Sequence, residues 1–77
     1  MQLINALLAE VIGALDERHY VTAGMLAGAA YVMGLRKSNN GTLIARLGEL
    51  DRKCQYGNFY DAAVMAREIR AELDAIL

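Results

Sequence analysis

The chain holds one cysteine, one histidine and one serine in its 77 residues. A lone cysteine, Cys54, forms no internal disulfide, which fits a reducing compartment and leads to the expectation of a cytoplasmic protein. One cysteine and one histidine do not make a Cys/His zinc site within one chain. A Ser-His-acid arrangement would need Ser38 beside His19, and the helix reading below puts these two at opposite ends of a bundle. No strand pattern leads into a glycine-rich phosphate loop. Asp16 and Glu17 are adjacent at a helix end, so their carboxylates point apart. The expectation is a protein that is not an enzyme and takes no metal or cofactor.

An excess of basic residues is also lacking: 8 Lys and Arg stand against 9 Asp and Glu, a net charge of −1. The basic residues are scattered, and Arg36-Lys37 and Arg52-Lys53 are pairs and not patches. No nucleic acid is expected as a partner. A membrane span is not expected either. The longest uncharged stretch, Tyr20 to Leu35, has 16 residues and three glycines, short of the roughly 20 a spanning helix needs. The amino terminus lacks the basic n-region of a signal peptide.

What the chain does have is apolar residues, 56% of the total. A single domain of this length, residues 1–77, builds a small core, with a net stability of roughly 3–5 kcal/mol. So large an apolar share implies either a very complete core or a surface that a partner covers.

The periodicity is helical throughout. Leu3, Ile4, Leu7, Leu8, Val11, Ile12 and Leu15 mark a helix from Leu3 to Asp16. The next segment, Asp16 to His19, contains no Gly or Pro, yet one helix running from Leu3 to Arg36 would be far longer than usual. A turn is therefore expected near Glu17–Tyr20. The second helix, Tyr20 to Arg36, is apolar on all sides and is expected to be the buried spine of the fold. Gly24 and Gly28 are expected to admit a close neighbour, and Met25, Met33 and Met65 to fill the core. Lys37-Ser38-Asn39-Asn40-Gly41-Thr42 reads as a loop, with Asn40 or Thr42 as N-cap. The third helix, Thr42 to Gln55, carries the stripe Leu43, Leu47, Leu50, Cys54, in which Cys54 is a small buried hydrophobe. Gly57 suits the C′ position and Asn58 the next N-cap. A fourth helix over 59–76 repeats Ala62, Ala66, Ile69, Leu73, Ile76. Glu49–Lys53 and Arg70–Asp74 are spaced as i, i+4 ion pairs. The fold class is all-α: a compact four-helix bundle of two antiparallel hairpins (3–16 with 20–36, 42–55 with 59–76). Shifted by 40 residues, the chain matches itself at Leu3/Leu43, Ile4/Ile44, Leu7/Leu47, Tyr20/Tyr60, Ala23/Ala63 and Met25/Met65, which agrees with two similar hairpins.

Two stretches look like known families. Gly57-Asn58-Phe59-Tyr60-Asp61-Ala62-Ala63 resembles the Gly–aromatic–Ala turn of tetratricopeptide hairpins, over that turn alone. Leu26-Ala27-Gly28, then Gly34, Leu43, Leu47, Leu50-Asp51 and Gly57, resembles histidine phosphotransfer domains, which are four-helix bundles. In those domains a phosphorylated histidine stands two residues before the leucine and a lysine follows it. Gly24 and Ala27 hold these positions here, so the resemblance implies a bundle that carries no phosphate.

In an up-down-up-down bundle the first and third turns share one end. That end gathers His19, Tyr20, Tyr56, Phe59 and Tyr60, with Arg52, Lys53 and Asp61 around them. Aromatics among mixed charges are the usual make-up of a protein-binding hot spot, and the same rings also suit a core cap. The expected function is a non-enzymatic interaction protein that binds and occludes another protein, as an adaptor, chaperone or stoichiometric inhibitor of the phage or mobile-element kind. The alternatives are a phosphotransfer-like signalling bundle without its histidine, and a self-assembling subunit or homodimer.

Overall fold

The computed structural model describes residues 2–76, residue 76 by its backbone alone, and folds them into four helices. These are α1 (Gln2–Asp16), α2 (Tyr20–Lys37), α3 (Gly41–Gln55) and α4 (Phe59–Ile76). Each boundary falls within one residue of the sequence expectation. The helices form a square: α1 packs against α2 and α4, and α3 packs against the same two. The expected all-α bundle of two antiparallel hairpins is what the chain adopts.

The unmarked first turn has a clear mechanism. The amide of His19 donates to Ala14 O (2.8 Å) and that of Arg18 to Leu15 O (3.1 Å). This is a Schellman ending with Arg18 in the left-handed region, at φ 61°. The third turn repeats it: Asn58 N donates to Lys53 O (2.8 Å) and Gly57 N to Cys54 O (3.4 Å), with Gly57 at φ 80°. Glycine takes this conformation freely, and arginine takes it at a cost. Of the two candidate caps for α3, Asn40 is the one used: its side-chain oxygen accepts from Leu43 N at 3.1 Å.

The two hairpins are copies in register. Each helix of the second starts 39 residues after its counterpart, Gly41 after Gln2 and Phe59 after Tyr20. Buried positions follow the same shift: Ile4/Leu43, Leu8/Leu47, Val11/Leu50 and Leu15/Cys54 on α1 and α3, and Ala23/Ala62, Ala27/Ala66, Ala30/Ile69 and Gly34/Leu73 on α2 and α4. An approximate two-fold axis thus runs along the bundle. This corrects the 40-residue repeat. Matching identities in a chain rich in Ala and Leu aligned the half-exposed flank with the core, as with Leu3, which is exposed, against Leu43, which is buried.

The expectation that α2 is the buried spine is also overturned. Only its small row, Ala23, Ala27, Ala30 and Gly34, is buried. Val21 and Met25 are 79% and 72% exposed, and Val32 and Leu35 also face outward. The physical reason is the count of neighbours. In a square of four helices each helix has two, and they hide one face. Small residues on that face let the helices approach, which leaves the larger apolar side chains of α2 outside. Met25 is therefore not core filler, whereas Met33 and Met65 do pack on the core.

The close approach lies between α2 and α3, although not where Gly24 suggested. A Cβ on Gly24 would meet nothing within 4 Å, one on Gly34 would lie 2.7 Å from Leu47 Cδ1, and one on Gly48 would lie 3.1 Å from the Tyr31 ring. Helix α4 is held differently, by polar contacts on both sides. Arg67 donates to both Asp16 oxygens (2.9 and 3.1 Å), Asn5 Nδ2 donates to Asp74 (2.7 Å), and Arg46 pairs with Glu72 and, at 3.7 Å, with Glu68. Asp74 is thus taken by Asn5, not by Arg70 as its spacing suggested, while Lys53 and Glu49 do approach to 3.9 Å. Ile76, the last residue of the expected α4 stripe, lies outside the described side chains. No helix among the described residues is long and apolar enough to cross a membrane.

Candidate interaction site

Tyr20 and Phe59 are the first residues of α2 and α4, so the Schellman turns set where they point. They are equivalent under the two-fold, and their rings stack across it, with centroids 3.9 Å apart and planes 7° from parallel. The stack closes this end of the bundle, where the core beneath is small: Ala23 and Ala62 are the next buried residues of the same helices.

On either side of the stack lies a groove, and both grooves are walled by Tyr20 and Phe59. One, of about 510 Å³, runs between α1 and α4. The other, of about 410 Å³, runs between α2 and α3. Their linings correspond under the 39-residue shift: Leu15/Cys54, Asp16/Gln55, Tyr60/Val21, Ala63/Gly24 and Val64/Met25. Their chemistry differs. The α1–α4 groove holds the Asp16–Arg67 ion pair and Arg18. The α2–α3 groove carries no charged side chain, and its floor at Gly24 is open.

All eight expected site residues lie at this end, in four settings. Tyr20 and Phe59 form the stack. Tyr56 and Tyr60 are 78% and 82% exposed, Tyr60 on the wall of the α1–α4 groove and Tyr56 next to Gln55 of the other. His19 is exposed, with Nδ1 3.4 Å from a Glu17 oxygen. Among the charges, Lys53 turns back along α3 toward Glu49, while Arg52 and Asp61 are exposed. The structure adds Asp16, Arg18, Val21, Met25 and Arg67 to this surface. Val21 and Met25 were masked by being apolar, a property that in isolation signals a core.

Cys54 sits under the α2–α3 groove, buried. Burial pushes its thiol pKa up, with the nearby Asp51 carboxylate adding to the shift, so the thiol stays protonated near neutral pH. No group of three or more His, Cys, Asp or Glu that could hold a metal ion occurs among the described residues.

No protein family, curated protein or solved structure matches this chain. The tetratricopeptide and phosphotransfer likenesses therefore rest only on the residues quoted for them.

Proposed function

We propose that the protein is a non-enzymatic interaction protein of a reducing compartment that binds another protein at its aromatic end and occludes it. The observation that supports this reading is the pair Tyr56 and Tyr60. Their rings are largely solvated: Tyr60 lines the α1–α4 groove, Tyr56 follows Gln55 of the α2–α3 groove, and the wall the two grooves share is already closed by the Tyr20–Phe59 stack. The stack accounts for the capping role, so the core does not need the rim tyrosines. Exposed tyrosines flanking a concave, mixed-charge surface have the composition of an interface centre, with a large rigid ring and a hydroxyl that hydrogen-bonds at its edge. The α1–α4 groove suits a partner segment that offers a charge to Arg18 or Arg67, and the α2–α3 groove suits an apolar side chain.

The test is capture of the host partner by the wild-type protein and by a Tyr56→Ala/Tyr60→Ala variant. Affinity is expected to fall about 30-fold or more, since one interface hot spot already costs about 2 kcal/mol or more and the two losses need not add. The melting temperature should stay unchanged, because neither ring is part of the core. Undiminished capture by the double variant would refute the reading.

A further inference from the structure

We propose that the seam between α1 and α4 is the docking surface for an acidic amphipathic helix of the partner protein. The inference rests on the reading of the aromatic end and names the chemistry of what binds there. The α1–α4 groove does not stop below the aromatic rings. Arg67 lines both it and a second depression of about 270 Å³ farther along the same seam, between Ile12 of α1 and Arg70, Ala71 and Asp74 of α4. From Tyr60 to Asp74 the seam runs about 21 Å at 1.5 Å of rise per residue, the length of about four helical turns. Its apolar lining comes from Leu15, Ala63 and Val64 in the first part and from Ile12 and Ala71 in the second. A straight, partly apolar seam between two packed helices suits the apolar face of a third.

Charge selects an acidic occupant. The seam presents Arg18, Arg67 and Arg70 against Asp16 and Asp74. Both carboxylates are engaged: Asp16 accepts from Arg67 (2.9 and 3.1 Å) and Asp74 from Asn5 (2.7 Å). Arg18 and Arg70 are exposed and have no ion pair among the described residues. The other carboxylates of the surrounding elements turn elsewhere. Glu10 lies about 160° round α1 from Ile12. Glu17 lies against His19 in the turn, at 3.4 Å. Asp61 lies about 100° round α4 from Tyr60, on the side away from Ala63. Glu68 and Glu72 reach across to Arg46 of α3. The free charge of the seam is thus positive, although the chain as a whole carries −1. The α2–α3 seam does not share this property. Under the 39-residue shift, Gly57, Gly28 and Tyr31 stand there in place of Arg18, Arg67 and Arg70.

A helix laid along the α1–α4 seam covers Ile12, Ala63 and Val64 with its apolar face. Glutamates or aspartates on its flanks then meet Arg18 at the aromatic end and Arg70 farther down, in charge-assisted hydrogen bonds to planar guanidinium groups.

The probe is a synthetic amphipathic peptide of Leu, Ala and Glu, about 18 residues long and so able to cover the seam. A second peptide carries Lys at every Glu position. In a titration with the full chain at low salt, read by fluorescence anisotropy, the Glu peptide should bind about tenfold or more tighter than the Lys peptide, and added salt should narrow the gap. Arg18→Gly/Arg70→Gln should weaken binding of the Glu peptide about tenfold or more. Arg36→Gln/Lys37→Gln, which removes two charges from the far end of α2, should leave it as it is. All four side chains are exposed, so the fold tolerates both changes. No saturable binding of the Glu peptide, equal binding of the two peptides, or equal weakening by the two variants would overturn the proposal. The captured host partner separates this inference from the reading it rests on. A partner lost with Tyr56→Ala/Tyr60→Ala but held by Arg18→Gly/Arg70→Gln would overturn the seam and leave the aromatic end standing, and undiminished capture by both variants would overturn both.

Discussion

Leu47→Ala is expected to leave the protein largely unfolded at room temperature. Leu47 is fully buried on α3, and its Cδ1 occupies the space against Gly34. A leucine truncated to alanine in a core costs about 2–5 kcal/mol, with the higher values where the cavity does not collapse. Here the neighbour is a glycine on a helix already packed close, so nothing is available to fill the gap. The loss is comparable to the roughly 3–5 kcal/mol that a core of this size supplies. Urea unfolding followed by circular dichroism measures it, and a loss under about 1 kcal/mol would mean the core is far more plastic than its geometry suggests. A second change makes the argument specific. In the wild type, a methyl on Gly34 runs into Leu47. In the Leu47→Ala background it enters the vacated space, adding helix propensity of about 1 kcal/mol. Gly34→Ala should therefore restore part of the stability in that background, and the double-mutant cycle should show positive coupling.

The two Schellman turns give a pair of opposite effects from the same conformation. Gly57→Ala is expected to destabilise by about 1–2 kcal/mol, because a Cβ at φ 80° crowds the following carbonyl. Arg18→Gly is expected to stabilise by about 0.5–1 kcal/mol: the strain at φ 61° disappears, less the entropy that glycine adds to the unfolded chain. For a domain of this size 1 kcal/mol moves the melting temperature by about 4–8 °C, so the two variants should melt on opposite sides of the wild type. Arg18 also lines the α1–α4 groove. A more stable Arg18→Gly protein with weaker partner binding would show stability given up for a function of that side chain. If Arg18→Gly melts lower than the wild type, the left-handed residue is not strained and the comparison of the two turns fails.

How far these properties could be read beforehand depended on what each residue contrasts with. On α3 and α4 the apolar stripe stands against charged residues, and on α1 large apolar residues recur on one face with Gln2, Asn5 and Asp16 off it, so period and phase were both plain. Gly57 and Asn40 mark their turns by conformational preference. The first turn has an arginine where glycine is expected, and only the implausible length of a continuous helix located it. On α2 period was visible and phase was not. Ala, Gly, Val, Met and Leu occur all around it, and hydrophobicity alone favours burying Val21, Met25 and Leu35. Packing chose the reverse, because the square needed a thin helix face beside Leu47 of α3. The aromatic end was foreseeable, since turn positions place Tyr20, Tyr56, Phe59 and Tyr60 together. The division of labour within it was not. Whether a ring stacks on the axis or stands on the rim depends on a one-residue difference in repeat, 39 against 40, and residue identities favoured the wrong one.

The two-fold also bears on where the chain could be cut. It maps the connection from Lys37 to Gly41, through Ser38, Asn39 and Asn40, onto the space between Ile76 and Gln2. The Asn5–Asp74 hydrogen bond confirms that α1 and α4 lie together at that end. A three-residue bridge already spans the equivalent gap, so one of similar length should join the ends of α4 and α1 without strain. A circular permutant that begins at Asn39, so that the Asn40 cap of α3 is kept, and ends at Ser38 is therefore expected to fold to the same bundle with a similar melting temperature. In it the hairpins exchange order while every buried pair, the Tyr20–Phe59 stack and both grooves keep their partners.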